Sequence, residues 1–197
     1  MKRILVACTL VLAAAQVSAT PINCADTSNN YMSMSDTQAM SCLDAGTGNI
    51  SGNPATDAFL LATSDPWVLK SKDDVDTALD PFDPFNINFS IVAGANKSST
   101  GTWSFDSDFW NHYEDAALGF KFGTGGQPDE WFVFEIQQGV SSGDWAFHNV
   151  FGKGGGLSHI NLYASKMVTN LPEPNSALLM LFGALMLAVA RRKTARS

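Results

Sequence analysis

The chain has 197 residues, 19 acidic and 12 basic side chains, and 45% apolar residues. That length suits about one domain, and the apolar and aromatic content excludes a chain disordered throughout. The net charge of −7 excludes a binder of the phosphate backbone, which needs clustered Lys and Arg.

The first segment is an address. Met1-Lys2-Arg3 is basic, Ile4 to Ala15 is mostly apolar, and Gln16-Val17-Ser18-Ala19 ends in a small-x-small cleavage pattern. The apolar stretch would make about 18 Å of helix, short of a hydrocarbon core of about 30 Å. A secretory signal helix over 1–19 is expected, with cleavage between Ala19 and Thr20. Sec translocon and signal peptidase are the partners this implies.

The basic residues crowd the ends. Lys2 and Arg3 open the chain, and Arg191, Arg192, Lys193 and Arg196 close it. Six basic residues remain in 20–170 against 18 acidic ones, so that stretch carries −12. Such a charge repels acidic polymers and anionic membrane surfaces.

Residues 20–54 form a polar segment rich in Asn, Ser, Thr and Asp. It holds Cys24 and Cys42, an isolated pair that reads as a disulfide in an oxidising exterior. Ligation of a metal by two thiols with no nearby His is the poorer alternative, as is a catalytic Cys. Asp73, Asp74, Asp76, Asp80 and Asp83 then make the densest acidic run. Oxygen ligands of this kind could hold a structural calcium, but the EF-hand spacing is missing. A solvated, turn-rich loop with Pro81 and Pro84 accounts for the run equally.

Strand patterning dominates from 55 to 170. Ile87, Phe89 and Ile91 alternate with polar residues, as do Trp103 and Phe105, then Leu118, Phe120 and Phe122. Phe132, Phe134 and Ile136 alternate with Trp131, Val133 and Glu135. Trp145 and Phe147 follow Gly143, and Leu157, Ile160 and Leu162 alternate imperfectly. Glycine clusters at 123–126 and 152–156 punctuate the runs. Neither has the lysine or the strand–helix setting of a phosphate loop. The expectation is an all-β fold, a jelly-roll-like β-sandwich ectodomain, with one helical turn near Phe109–Ala117. Gly101-x-Trp103-x-Phe105 and Gly143-x-Trp145-x-Phe147 echo each other, which two similar turn-to-strand entries would explain.

Little chemistry stands out. His112, His148 and His159 are far apart, with no zinc spacing. Ser158 and His159 are neighbours on a strand and should point to opposite faces. Glu114, Asp115, Asp129, Glu130, Glu135 and Asp144 could include a glycosidase pair, but that needs two carboxyls across a cleft. Trp67, Trp103, Trp110, Trp131 and Trp145 could stack on sugars if exposed, or fill a core. No catalytic residue and no cofactor is assigned.

The C-terminus is the most informative part. Leu171-Pro172-Glu173-Pro174-Asn175 precedes the uncharged stretch Ser176–Ala190, and Arg191-Arg192-Lys193 follows. The prolines hold the tripeptide extended. The apolar stretch makes about 22 Å of helix and can span with snorkelling arginines. Its basic end should stay cytoplasmic. A plain stop-transfer helix after a Pro-rich hinge would share these traits. The order PEP, apolar helix, Arg-rich end resembles the PEP-CTERM sorting signal of Gram-negative, exopolysaccharide-producing bacteria. Pro172, Glu173, Pro174, Arg191 and Arg192 are the matching positions, over 171–197. The resemblance implies recognition by exosortase, a membrane-embedded cysteine transpeptidase-like enzyme, and removal of the tail near PEP. Gly101–Tyr163 also looks like ectodomains found ahead of such tails, a resemblance that transfers no activity.

The expected protein is therefore non-enzymatic and exported. It is held in the inner membrane as a single-pass chain with a cytoplasmic C-terminus, then released to the periplasm, surface or extracellular matrix. Extracellular polysaccharide is the candidate partner, and no nucleic acid is expected. A surface polysaccharide hydrolase and a permanently anchored single-pass protein remain the alternatives.

Overall fold

Residues that alternate apolar and polar can bury one side of a strand, and two such surfaces facing each other make a core. A computed structural model of the chain describes residues 19–24, 30–75, 82–123 and 130–167. All of them fall in one unit, Met1–Met167. The signal segment up to Ser18, the whole sorting tail with Pro172, Glu173, Pro174, Arg191 and Arg192, and Asp76, Asp80 and Asp129 lie outside the described residues. Among the described residues, no helix is long and apolar enough to cross a membrane.

The fold is all-β, in two antiparallel sheets with two short helices. The strands are β1 (Pro21–Cys24), β2 (Tyr31–Ser35), β3 (Ala39–Gly46), β4 (Val68–Asp74), β5 (Asn88–Phe89) and β6 (Val92–Ala93). They continue as β7 (Ser99–Ser104), β8 (Ala116–Phe122), β9 (Trp131–Ile136), β10 (Ser142–His148) and β11 (Leu157–Ala164). The helices are α1 (Ala58–Ala62) and α2 (Phe109–His112), the latter within the stretch expected to turn. One sheet runs β1-β2-β10-β7-β5, with β6 also on β7; the other runs β3-β9-β8-β11-β4.

The polar segment 20–54 is not separate from a sandwich that begins at 55. It supplies β1 and β2 to the first sheet and β3 to the second, and a Cys24–Cys42 disulfide with Cα atoms 5.0 Å apart joins β1 to β3. The expected strand at Ile87–Ile91 is also broken. It survives as β5 and β6 either side of Ser90, with Ile87 buried but Ile91 exposed.

Between the sheets lies the main core. Met32, Trp145 and Phe147 of the first sheet meet Phe120, Phe122 and Phe132 of the second. Phe122 and Phe147 stack with centroids 4.0 Å apart. Burying each such side chain stabilises by roughly 1.5–3 kcal/mol.

The second sheet is buried on its far side as well. There Ala117, Trp131, Val133 and Tyr163 pack under Ile50, Phe59 and Trp67, so β9 buries both of its faces. Asp57 starts α1 by accepting the Leu60 amide at 2.9 Å, an N-cap that fixes the helix over the sheet.

The two echoing Gly-x-Trp motifs lie on paired strands. In the β7–β10 register Gly101 sits opposite Trp145, and Gly143 opposite Trp103. A Cβ on Gly101 would come 2.8 Å from Trp145 Cε2, and one on Gly143 2.9 Å from Trp103 Nε1. Each glycine makes room for the other motif's indole.

Candidate functional site: an open groove and a closed polar network

The outer face of the first sheet is built by strand alternation. Met32 and Met34 of β2 turn inward, so Ser33 and Ser35 turn outward. In β10 Trp145 and Phe147 are buried, leaving Asp144 and Ala146 outward. In β7 Trp103 is buried and Thr100 and Thr102 are exposed. Register then sets Ala146 between Ser33 and Thr100, and Asp144 beside Thr102.

These residues line a groove of about 540 Å³, completed by Gln38, Ser90, Val92, Ala19 and Pro21. Its volume lies in the range of small-ligand sites. The Ser90 and Thr102 hydroxyls pair at 2.8 Å, and Gln38 Oε1 accepts the Asp144 amide at 3.0 Å. Among the described residues, Asp144 is the only charged one in the lining. Ala19 and Thr20, the expected cleavage pair, are both exposed, and the Thr20 carbonyl accepts the Asp36 amide at 2.9 Å.

The second sheet closes its outer face with a buried polar network. Asp57 Oδ2 accepts from the Gly52 amide at 2.6 Å and from the Tyr163 hydroxyl at 2.9 Å. Asn161 Nδ2 reaches the Ile50 carbonyl at 2.7 Å and the Tyr163 oxygen at 2.8 Å. Burial, then the Asp57 charge, holds the Tyr163 phenol well above its usual range.

His159 belongs to the same network, with Nε2 at 2.9 Å from the Ile50 carbonyl. Because a carbonyl only accepts, Nε2 carries the proton. Burial lowers the imidazole's pKa, outweighing the Ile50 contact that raises it. Ser158 Oγ and Asp74 Oδ1 both lie 3.5 Å from Nδ1. A serine relay needs the serine and the carboxylate on opposite ring nitrogens, so these three groups cannot form one. The β8–β11 register shifts between Leu157 and His159, at Ser158.

The acidic candidates separate into distinct places. Glu114, Asp115 and Glu135 line a cleft of about 400 Å³ with Met40 and Gln137. Asp115 accepts from Ser165 at 2.6 Å and pairs with Lys166 at 2.9 Å. Although burial pushes its pKa up, these partners leave it below the usual carboxylate range. That is opposite to what a proton donor requires. Glu130 pairs with Lys121 at 3.1 Å, and Asp144 stands in the groove on the other sheet.

Of the calcium candidates, Asp74 pairs with Lys72, and Asp83 accepts the Ile87 amide at 2.8 Å. Asp73 lies beside Asp74 at the end of β4. Among the described residues, no three His, Cys, Asp or Glu side chains converge as a metal site would require.

The remaining histidines do other work. His112 lies 3.0 Å from exposed Asp108, whose carboxyl is lowered first by Asn111 and then by His112. His148 stacks on Tyr31 at 4.3 Å. Trp67, Trp103, Trp131 and Trp145 are buried, and half-buried Trp110 donates to the Val140 carbonyl at 3.2 Å. None of the five stands out as an exposed stacking platform.

The groove is what sequence reasoning missed. Its residues come from positions near 33, 100 and 146 and, Met34 and Trp145 apart, are small and ordinary. Only the pairing of β2, β10 and β7 brings them together. In comparisons with protein-family models, curated proteins and solved structures, the chain matches none.

Proposed function

We propose that the chain is a non-enzymatic, exported protein of the envelope, surface or extracellular matrix, processed by exosortase at its C-terminal signal. The observation that carries this is the order of parts in 171–197: Pro172-Glu173-Pro174, an uncharged stretch over Ser176–Ala190, then Arg191 and Arg192. An export signal at the other end agrees with it. The disulfide between Cys24 and Cys42 suits an oxidising compartment.

Before processing, the chain is a single-pass inner-membrane protein with its C-terminus in the cytoplasm. Afterwards its β-domain is delivered outward. The strand order β2-β10-β7 in one sheet and β3-β9-β8 in the other supports a jelly-roll-like arrangement, because a folded-over ribbon yields that order. The domain's role is structural or binding, with extracellular polysaccharide as partner. The lowered carboxyl of Asp115, in the cleft that gathers three acids, speaks against that residue as the proton donor of the hydrolase alternative.

The test is the mass of the mature C-terminus from cells with and without exosortase. Loss of the tail only when exosortase is present, and its retention in Pro172→Ala and Glu173→Ala chains, is the expected outcome. Equal retention of the tail in both strains would leave a permanently anchored protein instead.

A further inference from the structure

The two sheets differ in what covers them. The second sheet's outer face is closed by Ile50, Phe59 and Trp67. Among the described residues, no such apolar layer closes the first sheet's outer face, where the groove stays open. We propose that this groove binds a neutral polyhydroxylated chain, a stretch of uncharged polysaccharide, through Ser33, Thr100 and Thr102 around Ala146. This rests on the binding role proposed above and names its site and ligand class.

The ligand class follows from the lining. Ser33 and Thr100 flank Ala146, and their hydroxyls make no hydrogen bond within the described protein. A hydroxyl can both donate and accept, which matches a ligand whose own groups do both. Val92, exposed, and Ala146 offer small apolar surface for the C–H faces of a sugar ring. Neighbouring strands set the rows about 4.8 Å apart.

Other ligand classes fit worse. An anionic polymer meets Asp144 with no cation among the described residues of the lining, inside a stretch of −12. An apolar chain would cover the Ser33 and Thr100 hydroxyls without pairing them, at a cost for each. An extended peptide adds to a sheet edge, whereas the main chain of β10 is already paired on both sides, to β2 and β7. Charge and hydrogen-bonding capacity together leave the neutral polyol.

The experiment is calorimetric titration of the full chain in detergent micelles. The probes are neutral hexasaccharides of α- and β-linked glucose, mannose and xylose, and a hexauronate as the anionic comparison. Saturable binding of at least one neutral hexasaccharide is expected, and none of the hexauronate. Ala146→Lys fills the groove, and Thr100→Val with Thr102→Val removes two hydroxyls at constant shape. Each should weaken binding about tenfold or more, while Glu114→Gln, in the other cleft, leaves it unchanged. Retained binding in both groove variants overturns the assignment of the groove but leaves glycan binding standing. No binding of any neutral probe by the native chain up to about 10 mM overturns both. Tighter binding of the hexauronate overturns the ligand class.

Discussion

Gly101 is the position where the backbone leaves least room. A Cβ there would fall well inside contact distance of the Ser90 carbonyl oxygen and 2.8 Å from Trp145 Cε2. Neither obstacle is the free end of a flexible side chain. Ser90 is held to β7 by its amide on the Thr102 carbonyl at 2.9 Å, and its hydroxyl accepts the Thr102 amide at 2.9 Å. Gly101→Ala must therefore push the β5–β6 segment away. Overpacking costs about 1–3 kcal/mol, and losing those two bonds about 1 kcal/mol each. Reduced freedom of the unfolded chain offsets about 0.5 kcal/mol. The net loss is about 3 kcal/mol, or roughly 6–12 °C in Tm for a domain of this size.

Gly143→Ala should be milder. Its Cβ meets Gln38 Oε1 at 2.5 Å, a side-chain end that can swing away at the expense of the bond to the Asp144 amide, and the buried Trp103 Nε1 at 2.9 Å. A loss of about 2 kcal/mol is expected, about 1 for the bond and about 1 for the crowded indole. Gly156→Ala meets nothing within 4 Å and should stay within about 0.5 kcal/mol of the native chain. Urea unfolding of the oxidised protein, followed by tryptophan fluorescence, measures all three. The order Gly101, Gly143, Gly156 is the prediction. A Gly101→Ala chain as stable as Gly156→Ala would refute the argument that paired indoles and the Ser90 carbonyl demand glycine there.

The buried network gives two further predictions. Asp57→Ala strands the Gly52 and Leu60 amides and the Tyr163 hydroxyl; it should cost about 3 kcal/mol in the same urea assay, against about 1 kcal/mol for Tyr163→Phe. His159 gives stability a pH slope: its folded pKa lies below the unfolded value of about 6.5, so between the two the unfolded chain binds more protons. Stability should hold above pH of about 6.5 and fall as pH drops through the folded pKa, and urea midpoints at stepped pH should lose that slope in His159→Gln.

How much of this was legible depends on what each strand faces. β8 and β10 show plain alternation, and Phe120, Phe122, Trp145 and Phe147 took their places in the core. β2 did not read as a strand because its outward residues are Ser33 and Ser35 around inward Met32 and Met34, and β3 because Met40, Ser41 and Asp44 interrupt its apolar residues and its register shifts twice. β4 reads Val-Leu-Lys-Ser-Lys-Asp-Asp and buries Ser71, whose Oγ accepts the Phe85 amide at 3.0 Å. No apolar period announces it. The five-residue α1 is too short for helical periodicity to emerge, and its N-cap Asp57 was the one local signal. Ser158 explains the imperfect alternation in the last strand, since the register shift there displaces one residue.

The groove was illegible for a different reason. A catalytic site concentrates unusual residues and perturbed carboxyls, and those can be searched for along a chain. A surface that binds neutral polyols needs hydroxyls and small side chains without charge, the commonest composition a polar strand can have. What marks it is contrast, and contrast appears only after folding. The stretch 20–170 carries 18 acidic residues, yet among the described residues the groove across three adjacent strands receives Asp144 alone. Solubility would be served equally by carboxylates on that face. Keeping them off it leaves hydroxyls, which both donate and accept where an ionised carboxylate only accepts, and the Ala146→Lys and Thr100→Val with Thr102→Val variants act on that property directly.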